Sequence, residues 1–291
     1  LEKRAHQLAP LRTSVADAQS LLSRCDDAIR IAYVRLALRH GSLGNDFHAY
    51  HNEGHILDIL DGRIGRLIET HGIFVLGLRE WCALNLFAGC HDLRQREEAA
   101  YQAGVGANER ASIEETFRLL DACGFSRTAD ADLYRALDLM IAGSTFDARP
   151  PPGGAAFNAA ELVQSGGAMA AQLAQKLDKH SPGWREDAGM VQAHALALVA
   201  ADLDTANVAE PFLRFAGSAE NLCLEREMLC QRDLDASPSA KPVLDFLTDG
   251  QQRFFFQLAA HRNSGPQAQG QGLQAIGIAL LGAAKRGLAQ F

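Results

Sequence analysis

Two short segments of this sequence combine residue types that bind metal ions and transfer protons. Residues 50–55 read YHNEGH and include His51 and His55, and His91-Asp92 follows 36 residues after His55. Imidazole and carboxylate groups together bind Zn, Mn, Fe or Mg. Histidine also exchanges protons near neutral pH. The pattern predicts a divalent-metal site with one histidine left for proton transfer.

A further ligand should come from another part of the chain. The best candidate is Asp202, where an apolar helical stretch, 193–201, meets Asp202 and then Asp204. His55, His91, Asp92 and Asp202 would form a mixed nitrogen and oxygen set that leaves positions open for water and suits one or two divalent ions. Asp204 remains an alternative, as a helix-end carboxylate that supports the ligands.

The elements that must position these residues are helices. Apolar residues recur three and four apart in nearly every segment, and alternating strand patterns are almost absent. We therefore predict an all-α fold. The predicted helices are Ser14–Leu22, Asp26–Arg39, Gly54–Glu69, Leu78–Cys90, Asn108–Cys123, Asp130–Ala142, Ala193–Ala206, Glu210–Leu229, Gln251–His261 and Leu273–Phe291.

The predicted helices would bring the candidate ligands together. His51 and His55 are four residues apart and would share one helix face. His91 and Asp92 end an apolar helix, and a buried carboxylate without a partner costs several kcal/mol. A cation would be an effective partner for Asp92.

Three regions are expected along the 291 residues. Residues 1–44 should form a helical segment packed on the core, 45–262 the catalytic helical domain, and 263–291 a loop and a last helix. The Pro-Gly-rich stretch 149–154 is expected to be a loop inside the domain.

Composition limits the function classes. The net charge of -7 argues against broad contact with nucleic acid, which requires a basic face. The six cysteines form no C-x-x-C pair, so we expect buried free thiols and a reducing compartment. No apolar run is long enough to span a bilayer and the first residues lack the apolar core of a signal peptide, so we expect a cytoplasmic protein without a membrane partner.

The order His…His-Asp…Asp on a helical scaffold resembles the HD superfamily of metal-dependent phosphohydrolases. The form Tyr-His-Asn-x-x-His is similar to the cyclic-nucleotide phosphodiesterases and their bacterial relatives. The resemblance implies a multi-helix HD-type bundle in which His51 is the general acid and His55 is a ligand. His91 and Asp92 would match the His-Asp pair, with Asp92 bridging two metals. It also favours Asp202 over Asp204 as the late metal-binding Asp.

The same resemblance suggests residues around the metal and the substrate. Gln252 and Phe255 have the spacing of the Gln and the aromatic residue that hold a purine in the family. Asn52, Glu109 and Asp204 are expected to lie behind the ligands and support them. The resemblance departs at two points. The residues after His91-Asp92, Leu93–Arg96, differ from the family's usual sequence, and no histidine lies between 91 and 180, where di-iron branches draw extra ligands.

The implied activity is phosphodiester hydrolysis of a small phosphorylated, nucleotide-like substrate, such as a cyclic nucleotide. The metal would activate a water molecule, Asp92 would orient it, and His51 would protonate the leaving oxygen. Three alternatives stay open: a nucleotide phosphomonoesterase, an iron-dependent oxygenase, and a non-catalytic sensor that binds metal or nucleotide. The last helix could pair with a second copy, which would give a homodimer.

Overall fold

The computed structural model describes residues 2–14, 16–95, 106–145 and 170–229. Within these ranges the chain is mostly helical and contains no strand, which confirms the predicted all-α class. The α-helices are α1 (Glu2–Leu8), α2 (Ala18–Arg39), α3 (Glu53–Leu57), α4 (Ile64–His71), α5 (Leu78–Cys90), α6 (Ala107–Ala122), α7 (Ala131–Ser144), α8 (Ala170–His180), α9 (Ala188–Thr205) and α10 (Phe212–Leu229).

Helix α5 lies at the centre of the core. Eleven of its 13 residues are buried, including Leu84, Leu86 and Phe87. A helix that is apolar on every side must be surrounded by other elements, and α2, α7 and α9 all pack against it. The end of α5 therefore delivers His91 and Asp92 to the protein interior.

Helix α2 is longer than predicted. The sequence suggested two helices with a break near residue 24, but α2 runs without interruption from Ala18 to Arg39. Cys25 is buried and continues an apolar stripe from Leu21 to Ala28, so the same face packs on the core throughout.

The stretch that was predicted as one helix, Gly54–Glu69, contains a change of helix type. Asn52 caps α3 through a hydrogen bond from the Gly54 N–H to its side chain (2.8 Å). After Leu57 the chain forms a π-helical segment, Asp58–Arg63, before α4 continues it. The wider π turn changes the direction of the residues that follow it, and such turns are frequent at functional sites.

The other predictions agree with the structure in part. Helices α1 and α8 were not among the predicted helices. Helices α6, α7, α9 and α10 lie within a few residues of their predicted positions, apart from an earlier start of α9. The predicted helices Gln251–His261 and Leu273–Phe291 lie outside the described residues, as does the loop 149–154. Leu36 and Ile56, on either side of the predicted boundary at residue 44, belong to one buried cluster. None of the helices in the described ranges has the length and apolar character needed to cross a membrane.

Candidate metal centre

Three helices bring two histidines and two aspartates together in the interior. The Nε2 atom of His55, on α3, lies 3.0 Å from Asp204 Oδ1, on α9. His91 Nε2, at the end of α5, lies 3.0 Å from Asp92 Oδ2 and 3.3 Å from Asp204 Oδ1. His55 Nε2 and Asp92 Oδ2 are 3.8 Å apart. We call His55, His91, Asp92 and Asp204 the central cluster.

The donor atoms of the central cluster fit a metal ion. His55, His91 and Asp92 each offer one ligand atom, and these atoms lie within 4.8 Å of one another. Tetrahedral coordination with bonds of 2.0–2.2 Å places neighbouring ligand atoms about 3.4 Å apart. His91 Nε2 and Asp92 Oδ2 are also buried, and their polar neighbours are other members of the central cluster. A group of imidazoles and carboxylates at these distances could hold a cation.

Electrostatics in the central cluster favour added positive charge. Burial opposes protonation of His91, but the carboxylates of Asp92 and Asp204 outweigh it and raise the pKa of His91 well above its ordinary value. Burial alone would raise the pKa of Asp204, yet His91 and His55 hold it well below the usual range. Burial lowers the pKa of His55. The carboxylates of Asp92 and Asp204 therefore stay ionised. They lie beside the imidazoles of His55 and His91, of which only His91 has a raised pKa.

Asp204, two residues after the predicted ligand Asp202, contacts both histidines of the central cluster. Residues two apart on an α-helix differ by about 200° around its axis, so Asp202 and Asp204 point in different directions. Asp202 is buried on the same helix. The structure thus brings His55, His91 and Asp92 together as expected and adds Asp204 to them, and the assignment of Asp202 as a ligand stays a prediction.

Arg63 fixes the end of α9 that carries Asp204. Its buried guanidinium donates to the backbone oxygens of Leu203 (2.7 Å) and Asp204 (2.5 Å) and is paired with Glu210 (3.4 Å). The last carbonyl groups of a helix have no partner within that helix. Arg63, from the π-helical segment, supplies partners for two of them and so orients the Asp204 backbone.

His51 is held beside the central cluster by a residue that the sequence argument missed. Glu225, on α10, accepts hydrogen bonds from the backbone N–H groups of Tyr50 and His51 (both 2.8 Å), and its other oxygen lies 2.6 Å from His51 Nδ1. Burial would raise the pKa of Glu225, but His51 and His48 lower it far below the ordinary value. This carboxylate stabilises the protonated form of His51.

His51 does not share a helix with His55. It lies in the turn before α3, because Asn52 is the N-cap of that helix. The two rings still meet edge to face, with their centroids 6.0 Å apart. The described contacts of Asn52 are structural, since its amide also donates to the His48 carbonyl oxygen (2.7 Å).

Glu109 lies close enough to the central cluster for the charges of Asp92 and Asp204 to change its pKa. Burial, together with the carboxylates of Asp92 and Asp204, raises the pKa of Glu109. Its neighbour Asn108 donates to the Gln95 side chain (2.5 Å). The predicted supporting position of Glu109 stays a prediction, and Gln252 and Phe255 lie outside the described residues.

Comparisons with known proteins give no family assignment. No family model matches the sequence, and no curated protein or solved structure is significantly similar to it.

Proposed function

We propose that this protein is a metal-dependent phosphohydrolase with an HD-type helical bundle, and that it cleaves a phosphodiester bond in a nucleotide-like substrate. One observation carries the proposal: a largely buried set of two imidazoles and two carboxylates lies next to a separate histidine, His51, that is paired with its own carboxylate. A purely structural metal site has no need of such a histidine.

The roles of the residues follow from their positions. His55, His91, Asp92 and Asp204 would hold a divalent cation, which when bound offsets charge on phosphoryl oxygens and acidifies coordinated water. Asp92 would orient the attacking water. Glu225 accepts from Nδ1 of His51, so Nε2 is the atom from which His51 would donate a proton to the leaving oxygen.

The proposed substrate and cellular compartment are supported by the net charge and by the cysteines. A small phosphorylated substrate agrees with the acidic net charge, because a metal can supply positive charge locally. The thiols of Cys25 and Cys82 are in contact in the core and are free cysteines, not a disulfide. Free thiols of this kind support a reducing, cytoplasmic location.

The experiment measures hydrolysis of several phosphate esters by the protein loaded with each of several metals. The full chain is stripped with a chelator, loaded separately with Zn²⁺, Mn²⁺, Fe²⁺ or Mg²⁺, and assayed on bis-p-nitrophenyl phosphate, p-nitrophenyl phosphate and cyclic purine nucleotides. Bound metal is measured by elemental analysis. We expect metal-dependent hydrolysis of the diesters, with little turnover of the monoester.

Two variants separate the roles. His51→Ala should keep the metal and lose most turnover, whereas Asp92→Ala should lose the metal. The control is His180→Ala, at an exposed position on α8. Full activity in His51→Ala would contradict the proposed acid. Bound metal with no ester hydrolysis by the wild type would favour the sensor alternative.

A further inference from the structure

A second group of potential ligands lies in the loop between α2 and α3. His40 Nδ1 and His48 Nε2 lie 3.4 Å and 3.6 Å from Asp46 Oδ2, and the two imidazole centroids are 4.2 Å apart. One ligand atom from each residue falls within 4.8 Å of the other two. We call His40, Asp46 and His48 the outer cluster.

The spacing in the outer cluster suits a metal ion. The distances of 3.4 and 3.6 Å between its nitrogen atoms and Asp46 Oδ2 are close to the separation of about 3.4 Å between neighbouring ligands in tetrahedral coordination. Both histidines are at most 1% exposed. The Asp46 side chain is 56% exposed, so an ion could enter from solvent and keep water as a further ligand.

His48 has an unmet requirement that a metal would fulfil. Both of its ring nitrogens are buried, and the nearest carboxylate oxygens, from Asp46 and Glu225, lie 3.6 Å away, which is longer than a normal hydrogen bond. A buried polar group without a partner costs about 1–3 kcal/mol. The loop does not depend on these nitrogens for its shape, since the backbone N–H of His48 donates to the His40 carbonyl oxygen (2.8 Å) and that of Asp46 to Arg39 (3.2 Å).

The second nitrogen of His48 faces a carboxylate, as in many metal sites. Glu225 Oε1 lies 3.6 Å from His48 Nδ1, on the other side of the ring from Asp46. Histidines that bind metals commonly direct their other nitrogen to a carboxylate or a carbonyl group, which fixes the ring. His40 Nδ1 also lies 3.1 Å from the Asp46 carbonyl oxygen, and this nitrogen would exchange that contact for the ion when a metal binds.

We propose that His40, Asp46 and His48 form a second cation site, distinct from the central cluster, that binds a divalent transition ion such as Zn²⁺ or Co²⁺. Two imidazoles and one carboxylate are a typical ligand set for Zn²⁺ with an open position. Glu225 connects the two regions, because the same carboxylate contacts His48 and His51. The proposal is independent of any hydrolytic activity.

The test counts metal ions. Chelator-stripped full-length protein is titrated with Co²⁺, and bound metal is measured by elemental analysis after gel filtration, together with the visible absorption of Co²⁺. Asp46→Asn and His48→Gln should each bind one equivalent fewer than the wild type, or bind it more than about tenfold more weakly. His91→Ala should retain the outer equivalent. The matched control is Asp17→Asn, since Asp17 has the same side-chain exposure of 56%.

Each outcome decides the proposal. If His48→Gln fails to fold, as checked by circular dichroism, Asp46→Asn still tests the site at an exposed position. Unchanged Co²⁺ stoichiometry and affinity in Asp46→Asn would overturn the outer site. Loss of all metal from His91→Ala would overturn it as well. Because only bound metal is counted, a failure of the proposed hydrolase activity would leave this result unaffected.

Discussion

Asp204 and Asp202 provide a sharp comparison, because they are two residues apart on one helix and Asp204 contacts both central histidines. We expect Asp204→Asn to impair metal binding strongly and Asp202→Asn to leave it nearly intact. Asparagine keeps the size of the side chain in both variants and removes only the charge. The comparison therefore isolates which carboxylate belongs to the central cluster.

The expected magnitude follows from the geometry. Asp204 Oδ1 lies 3.0 Å from His55 Nε2 and 3.3 Å from His91 Nε2, so an ion that both nitrogens bind would also contact this oxygen. Residues that merely support metal ligands change affinity by about 10–100-fold when they are replaced. Loss of a direct carboxylate ligand should exceed that range, which means at least about 100-fold, or about 2.7 kcal/mol.

The assay is a competition titration with a chromophoric chelator, carried out with Zn²⁺ on wild type and both variants. To count the central cluster alone, all three proteins carry Asp46→Asn in the outer cluster, at an exposed side chain. Asp202→Asn should weaken affinity by less than about tenfold, below the range for supporting residues. Strong loss in Asp202→Asn with normal binding in Asp204→Asn would refute the assignment and restore the preference drawn from the sequence.

Three further predictions concern turnover, packing and pH. Glu225→Gln should lower turnover about ten- to hundredfold, because His51 loses the carboxylate that stabilises its protonated form. A hydrogen bond to a charged group contributes about 1.5–3 kcal/mol. Unchanged turnover in a Glu225→Gln protein that still binds the metal would contradict this prediction. Phe87→Ala should lower the free energy of unfolding in urea by about 3–5 kcal/mol, since Phe87 is fully buried and stacks on the ring of His91. The control Phe74→Ala, at a side chain 76% exposed, should change the free energy of unfolding by less than about 0.5 kcal/mol. Burial would raise the pKa of Asp130, but the Ser126 N–H, Arg24 and Arg79 hold that pKa below its ordinary value. The ionised Asp130 therefore stabilises the folded state above the pKa that it has in the unfolded chain, and this stabilisation is lost as pH falls below about 3.9. Unfolding followed by circular dichroism should accordingly show a weaker acid dependence for Asp130→Asn, and an identical dependence would refute the assignment.

Local patterns in the sequence determined much of this protein. The period of apolar residues identified most helices, because a helix that packs on a core must repeat its buried positions every three to four residues. The continuous apolar run of α5 also indicated that His91 and Asp92 are delivered to the interior. Asn52 is a residue type that commonly caps helices. Because it caps α3, His51 lies outside that helix, which the sequence analysis did not predict.

Only the tertiary structure decided which carboxylates meet these histidines. The period of α9 does not specify how that helix is rotated about its axis relative to α3 and α5, so Asp202 and Asp204 could not be distinguished by pattern. Glu225 belongs to a helix with several acidic residues and comes 174 positions after His51, so its role arises from the packing of α10 against the turn before α3. The outer cluster likewise depends on a loop that folds His48 back onto His40. Spacing along the chain limits which residues can share a helix face, whereas contacts between helices depend on how their side chains pack, and that information is distributed over the whole core.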